Sequence, residues 1–307
     1  MRPFSVSVPT RQLADDVAAS VPEGVEVVLW EMDAPAPCPR LDIVVPPYIG
    51  MAEALGRLDG VEVGLVQAQS IGYDGVAELL APGTLFANAA SVHETSTAEL
   101  AVALALAAQR RLDKAALDTR AGVWDQFSAP SLADRRVLLL GFGGVGKAVA
   151  ARLAPFEIDL VVVASSAREE RGIRVHGVDE LPGLIGGAEV VVLTLPGGPE
   201  TRHIVDDAFL SALPDGALLV NVGRGSLVDT DALVDHVRRG RIRAALDVTE
   251  PEPLPAGHPL WGLPGVLVSP HTGAGSSAMP PRMAGLVARQ VRRALQGEEP
   301  LNVVIGR

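Results

Sequence analysis

Three segments late in the chain end an apolar run in a residue that handles charge or protons. In Asn221-Val222-Gly223-Arg224-Gly225 an arginine stands between two glycines, just after the apolar run Ala217–Val222. The glycines leave room around a guanidinium fork, which matches a carboxylate through two parallel hydrogen bonds. A structural pairing with Asp229 is the plain alternative. In Leu246-Asp247-Val248-Thr249-Glu250-Pro251-Glu252-Pro253 two prolines bracket Glu252 and stiffen its loop. Read alone, Glu252 is one acid of an exposed acidic loop. In Val268-Ser269-Pro270-His271-Thr272-Gly273 a histidine precedes a glycine-rich turn. Imidazole titrates near neutral pH, so it both gives and takes a proton there. The other five histidines lack such a setting: His93 sits near a helix start, and His176, His203, His236 and His258 read as loop or surface residues. Taken together the three roles interlock. Arginine holds an anion, histidine exchanges a proton, and glutamate keeps the histidine charged, each unit of raised pKa being worth about 1.4 kcal/mol.

Upstream lies a glycine loop. Arg135–Leu140 reads as a strand, Gly141-Phe142-Gly143-Gly144-Val145-Gly146 follows, and Lys147–Leu153 reads as a helix. This is G-x-G-x-x-G between strand and helix, the context that dinucleotide binding requires. Gly141 permits the tight turn, Gly143 lets backbone approach a pyrophosphate, and Gly146 allows close packing. The helix N-terminus supplies N–H groups and a positive dipole end. An acid closing the next strand would bind the ribose 2′-hydroxyl of NAD. Here Leu160–Val163 runs instead into Ala164-Ser165-Ser166-Ala167-Arg168. Two hydroxyls and a guanidinium suit a 2′-phosphate, which favours NADP(H). The alternative is that Arg168 is a loop cation beside Glu169 and Glu170, and that NAD(H) binds without a carboxylate contact. The candidate cofactor contacts are Gly141, Phe142, Gly143, Gly144, Val145, Gly146, Ser165, Ser166, Arg168, Leu195, Pro196, Thr201, Val222, Gly223, Asp247 and His271.

These residues need a scaffold, and the apolar runs supply one. From Arg135 onward Val137–Leu140, Leu160–Val163, Val190–Leu195, Ala217–Val222, Ala244–Val248 and Val266–Ser269 suit strands buried on both faces. Helical patterns at Val145–Leu153, Val178–Ile185, Asp206–Ala212 and Thr230–Arg239 separate them. Earlier, Val25–Trp30, Leu41–Val45, Val61–Ala68 and Leu85–Asn88 read as strands, with Met51–Leu58 and Tyr73–Leu80 as helices between them. A long helix over Thr95–Arg111, capped by Thr95 or Ser96, leads into a less regular stretch, Leu112–Asp134. A helix over Ser277–Leu295 ends in Gly297, and Leu301–Ile305 is extended. The alternation predicts an α/β protein with parallel sheets covered by helices.

Composition narrows the partners. The 307 residues allow about two domains. A net charge of −11 speaks against nucleic acid, because phosphate backbones are repelled. The longest apolar run, Leu100–Ala108, is far short of the roughly 20 residues that a bilayer needs. The start MRPFSVSVPT carries no apolar signal core, so a cytoplasmic location is expected. Cys38 is the single cysteine, which excludes an internal disulfide and a cysteine-cluster metal site, and no metal is expected.

In Gly141–Gly146, Asn221-Val-Gly-Arg224-Gly, Leu246-Asp247-Val…Glu252-Pro and Ser269-Pro-His271, in that order, the sequence resembles the D-isomer-specific 2-hydroxyacid dehydrogenase family. The resemblance is specific over about residues 96–275 and looser before, as in Ser70-Ile71-Gly72-Tyr73-Asp74. It implies two Rossmann-like parallel-sheet domains with an active-site cleft between them. Residues 1–95 plus 276–307 would form the substrate-binding domain and 96–275 the dinucleotide-binding domain. Arg224 would bind the carboxylate and carbonyl of a 2-ketoacid, His271 would donate or accept the proton, and Glu252 rather than Glu250 would be its partner. Asp247 would meet the nicotinamide carboxamide. The backbone at Ile71 and Gly72 would help hold the substrate, with Tyr48 in the loop that sets specificity. A homodimer pairing through about Thr97–Asp134, with Trp124 as a packing anchor, is implied as well. A chain stopping at Arg307 would lack the regulatory extension of long phosphoglycerate dehydrogenases.

Other readings have their own signatures. Some relatives are cofactor-sensing co-repressors, but the full Arg224, Glu252 and His271 set argues for catalysis. A formate enzyme of this type would carry glutamine at Glu252. Phosphite is a further possible hydride donor.

Overall fold

The computed structural model describes residues 2–306. The chain divides into two compact units, Met1–His93 with Ser276–Arg307, and Glu94–Gly275. The first unit opens with β1 (Phe4–Val8), α1 (Arg11–Ala18), β2 (Val25–Leu29), β3 (Arg40–Val44), α2 (Met51–Leu55), β4 (Glu62–Gln67) and the two-residue β5 (Phe86–Ala87). Thr10 caps α1 by accepting the Leu13 N–H at 3.3 Å, the role for which a β-hydroxyl suits a helix start.

The second unit follows as α3 (Glu94–Gln109), α4 (Leu112–Ala121), β6 (Arg136–Leu140), α5 (Gly144–Leu153), β7 (Asp159–Ala164), β8 (Arg168–Glu170), β9 (Ile173–Gly177), β10 (Val190–Leu193), α6 (Asp207–Ala212), β11 (Ala217–Asn221), α7 (Thr230–Arg238), β12 (Ile242–Leu246) and β13 (Val266–Val268). The chain then returns to the first unit with α8 (Met279–Leu295) and β14 (Val303–Ile305).

The first unit's six-stranded sheet runs β14-β5-β4-β3-β1-β2, parallel except at the β14–β5 pair. The apolar faces of α1 (Leu13, Val17) and α8 (Met283, Leu286, Val287, Val291) pack into one core with Val6, Val8, Ile43 and Leu65. The second unit's eight-stranded sheet runs β13-β12-β11-β10-β6-β7-β9-β8, parallel except at β8–β9. Its central strands β6, β10 and β11 are buried on both faces, as their Val and Leu runs require. Alanines at 98, 101, 105 and 108 let α3 lie close against one face.

Register sets up everything functional in this unit. Leu140 pairs with Val163 and with Leu193, Leu193 with Asn221, Asn221 with Leu246, and Leu246 with Val268. The carboxyl ends of β6, β10, β11, β12 and β13 are therefore flush, and their following loops share one edge. The strand order also reverses at β6, where crevices form in open α/β sheets.

Several sequence expectations need correction. Leu112–Ala121 within the predicted irregular stretch is helical: Arg111, at φ +54°, breaks from α3, and Gly122, at φ +66°, closes α4. Tyr73–Leu80 holds only a short 3-10 turn over Ala77–Leu79, because Gly75 takes φ +72°. Val178–Ile185 is a pair of 3-10 turns, where Pro182 cannot donate to an α-helical ladder. The long helix starts at Glu94, ahead of Thr95 and Ser96. The strands β1, β8 and β9 and helix α1 had no predicted counterpart. Among the described residues no helix is long and apolar enough to cross a membrane, and no cluster of His, Cys, Asp or Glu is placed to hold a metal.

Candidate active site

The glycine cradle follows β6. Gly141 takes φ +103°, and a methyl group there would sit 2.7 Å from the Thr194 hydroxyl. A methyl on Gly146 would lie 2.1 Å from the Gly141 carbonyl oxygen, so only glycine lets α5 begin this close to β6. Gly143, by contrast, faces open space within 4 Å, leaving room for a ligand at the backbone where α5 starts. The Thr194 hydroxyl, just past β10, donates to the carbonyls of Leu140 and Gly141, both at 3.1 Å, and pins the loop. These observations fit a pyrophosphate cradle at a helix N-terminus. Phe142 and Val222 are buried in the core under the sheet edge, so contact from them runs through backbone. Thr201 closes its own loop on the Pro196 carbonyl at 2.8 Å, and Leu195 packs partly into the core.

Beyond β7, Ser165 and Ser166 are exposed, whereas Arg168 is on a strand rather than in a loop. Its Nε donates to Glu170 at 3.0 Å and its Nη1 to the Ser166 carbonyl at 3.2 Å. Glu170 also takes Lys147 of α5 at 2.5 Å, and the hydrogen bond from Lys147, ahead of that from Arg168, lowers its pKa.

Arg224 comes three residues after β11 ends at Asn221. Asn221 shapes its loop, donating to the Arg224 carbonyl at 2.8 Å and accepting the Gly223 N–H at 3.0 Å. Arg224 itself donates from Nη1 to the Gly223 carbonyl at 2.8 Å. Asp229 is not the structural partner it resembled in sequence: it caps α7 by accepting the Ala232 N–H at 3.1 Å. A methyl on Gly225 would meet the Thr249 carbonyl oxygen at 1.9 Å, so the Arg224 loop lies directly on the loop that leads to Glu252.

His271 Nδ1 and Glu252 Oε1 are 2.5 Å apart. The histidine sits at φ +52°, a conformation that costs an ordinary L-residue about 1–2 kcal/mol. Asp247, only 3% exposed, holds it there. The Asp247 carboxylate accepts the Thr272 N–H at 2.8 Å and the Gly273 N–H at 3.0 Å, and its carbonyl accepts the His271 N–H at 2.8 Å. The Glu252 hydrogen bond raises the His271 pKa above 6.5, against burial and the repulsion of Arg224, with Asp247 adding attraction. Burial pushes Glu252 up, but His271, the Thr249 backbone and Arg224 outweigh it, and its pKa is lowered. Arg224, Glu252 and His271 thus act on one another electrostatically, and all three leave the same sheet edge.

The remaining predicted substrate residues belong to the other unit. The Ile71 carbonyl accepts Asn88 Nδ2 at 2.9 Å and the Gly72 carbonyl accepts the Ser70 hydroxyl at 2.7 Å. Fixing the Ile71 carbonyl fixes the Gly72 N–H on the opposite side of the same peptide plane. Tyr48 is half-buried, its ring 6.0 Å from that of His93.

Of the histidines read as loop or surface residues, His203 and His258 do lie in loops, whereas His236 and His176 do not. His236 is 1% exposed on α7 and bonds Asp207 at 3.0 Å. His176 lies on β9, and its bond to Glu180 is the first cause of that carboxyl's fall to about 2. His203 bonds Glu250 at 2.8 Å, and His258 caps a short turn by accepting the Leu260 N–H. Sequence reasoning also missed Thr194, whose signal was its place directly after an apolar run.

Comparison with known proteins places the chain in a family. The family profile described as D-isomer specific 2-hydroxyacid dehydrogenase, NAD binding domain, matches residues 102–273. D-3-phosphoglycerate dehydrogenase of Mycobacterium leprae is 34% identical over 302 residues, covering 94% of this chain and 56% of that protein. Glyoxylate reductase of Thermofilum pendens is 32% identical over 260 residues, covering 81% and 76%. The crystal structure of a D-isomer specific 2-hydroxyacid dehydrogenase from Xanthobacter autotrophicus Py2, in complex with NADPH and MES, superposes with a TM-score of 0.82 at 29% identity, covering 100% and 99%. The chain belongs to the D-isomer specific 2-hydroxyacid dehydrogenase family. It spans about half the length of the phosphoglycerate dehydrogenases that it matches.

Proposed function

We propose that the chain is an NAD(P)-dependent 2-hydroxyacid dehydrogenase working as a 2-ketoacid reductase, with residues 96–275 as its dinucleotide-binding domain and 1–95 plus 276–307 as its substrate-binding domain. The observation that carries this is the 2.5 Å His271–Glu252 pair on the sheet edge that also bears Arg224 and the glycine cradle. The dinucleotide, when bound, supplies the hydride. The cradle at Gly141–Gly146 takes the pyrophosphate, and the Arg224 guanidinium holds the ketoacid carboxylate and polarises its carbonyl. With Nδ1 taken by Glu252, the transferable proton of His271 sits on Nε2 and goes to the developing alkoxide. Glu252 keeps the ring charged and fixes its orientation. Asp247 is set to receive the nicotinamide carboxamide beside the two N–H groups it already accepts. The Ile71–Gly72 backbone and Tyr48 complete the substrate site.

Ser165, Ser166 and Arg168 support NADP(H), and the Xanthobacter relative is seen with NADPH. A homodimer through about Thr97–Asp134 is supported by Trp124, which is 96% exposed beside exposed Leu112, Leu117 and Val123. Light scattering at micromolar concentration tests it: a dimer mass is expected, and a monomer refutes it.

A spectrophotometric screen of glyoxylate, hydroxypyruvate, pyruvate and bulkier 2-ketoacids, with NADH and NADPH in parallel, tests the activity. Turnover with at least one ketoacid, lost in His271→Ala while cofactor binding survives, is expected. Undiminished turnover in His271→Ala overturns the assignment, and a clear NADH preference overturns the reading of Ser165, Ser166 and Arg168.

A further inference from the structure

Glu250 stands two residues before Glu252 and is a partner of no reacting group in the proposed mechanism, yet four bonds converge on its turn. Its carboxylate accepts Arg202 Nη1 at 2.7 Å on one oxygen and bonds His203 Nε2 at 2.8 Å on the other. Its backbone carbonyl accepts the Thr230 hydroxyl, at the start of α7, at 2.6 Å. The Thr249 hydroxyl donates to the Pro251 carbonyl at 2.9 Å. The hydrogen bonds from His203 and then Arg202 lower the Glu250 pKa, so it is an anion at neutral pH. Arg202 and His203 belong to the loop after β10, which begins with Thr194 and includes Leu195 and Pro196. Thr230 follows the Arg224 loop, and His203 donates its own N–H to the Ser226 carbonyl at 2.8 Å. Glu250 thus ties the loop after β12 to the loops after β10 and β11.

We propose that Glu250 is a positioning residue: through Arg202, His203 and Thr230 it fixes the 249–252 turn so that Glu252 meets His271. The inference deepens the dehydrogenase reading and rests on it for its effect on rate. Both oxygens of the carboxylate are engaged, so the side chain cannot swing without breaking a charged bond. Such bonds are worth about twice their neutral counterparts. Removing the anion releases Arg202 and His203 and leaves residue 250 held by the Thr230 bond to its carbonyl. Glu252 itself bonds His271 and the Thr249 backbone, so its own hold on the turn runs back to Thr249.

The test reads His271 directly. The charged groups acting on its ring are Glu252, Asp247 and Arg224. NMR titration of the His271 ring is compared in wild type, Glu250→Ala, Glu252→Gln and the double variant. A fall of the titration midpoint in Glu250→Ala, absent when Glu252 is already glutamine, is expected. Alongside it, kcat should drop roughly tenfold while KM for the dinucleotide changes less than about twofold. Glu250→Gln and Arg202→Met, each removing part of the clamp, should give intermediate midpoints and guard against a misfolded alanine variant. An unmoved midpoint in folded Glu250→Ala, or an equal fall in the Glu252→Gln background, overturns the proposal. Midpoints that behave as expected in a wild type that turns over no 2-ketoacid would leave the clamp standing and refute the dehydrogenase reading instead.

Discussion

Replacing Glu252 with glutamine keeps the shape of the His271 partner and removes its charge. At 2.5 Å the native contact is a charge-assisted hydrogen bond, worth about 1.5–3 kcal/mol when partly shielded from water. The two side chains are 46% and 39% exposed, so solvent screens them and the low end, about 1.5 kcal/mol, applies. That free energy is roughly tenfold in rate. The loss has a direction in pH. In the native pair the His271 pKa is raised above 6.5, so the imidazolium needed for reduction persists to higher pH. In Glu252→Gln the fall in kcat/KM for the ketoacid begins at lower pH, nearer the ordinary value. The two enzymes should differ little on the acid side of 6.5 and by roughly tenfold on the alkaline side. The assay is ketoacid reduction followed by nicotinamide absorbance, with saturating reduced dinucleotide, across that range. A loss of equal size at every pH, or an alkaline limb that stays in place, would refute a protonating role for the pair.

The same pair has a stability signature. The His271 contribution is complete below 6.5 and lost as pH rises through its raised folded pKa, while that of Glu252 is complete above 4.5 and lost as pH falls through its depressed one. Denaturant midpoints of wild type should therefore exceed those of Glu252→Gln most between 4.5 and 6.5. Gly143→Ala should leave thermal stability nearly unchanged and weaken dinucleotide binding in calorimetry, whereas Gly146→Ala should destabilise by about 1–3 kcal/mol, since its methyl would collide with the Gly141 carbonyl. Gly225→Ala should lower both melting temperature and kcat, because it drives the Arg224 loop off Thr249. Arg224→Gln should raise KM for the ketoacid at least tenfold and leave dinucleotide affinity intact, as steady-state kinetics and fluorescence titration would report.

The legible parts of this molecule were those written in one short stretch of sequence. Long Val and Leu runs gave β6, β7, β10 and β11 to within two residues, since doubly buried strands need such runs, while β12 was placed two residues late. The G-x-G-x-x-G spacing gave the cradle, because each glycine answers a local steric demand. His271 and Glu252 could be paired by their complementary roles and by resemblance, but not by local pattern, since 19 residues separate them and their meeting depends on flush strand ends. The clamp on Glu250 was illegible for the same reason: Arg202 and His203 lie 48 and 47 residues away. The hairpin of β8 and β9 was missed because Arg168, Glu169 and Glu170 carry no apolar alternation. The Arg168 bond to Glu170 arises from that hairpin rather than from local chain preference.

The order in which the chain visits its two units bears on its synthesis. Glu94–Gly275 is continuous and holds its own core, so it is complete in the chain before α8 emerges from the ribosome. The other unit is not. Until Val303–Ile305 is made, β5 has no partner on the side that β14 later occupies, and the apolar face of α1 lacks the α8 residues that share its core. A nascent chain therefore carries an open sheet edge and an uncovered helix face throughout translation of the entire middle unit. Such surfaces are the ones that chaperones bind and that pair wrongly between neighbouring chains. Truncations near the C-terminus should accordingly aggregate with the second unit already folded.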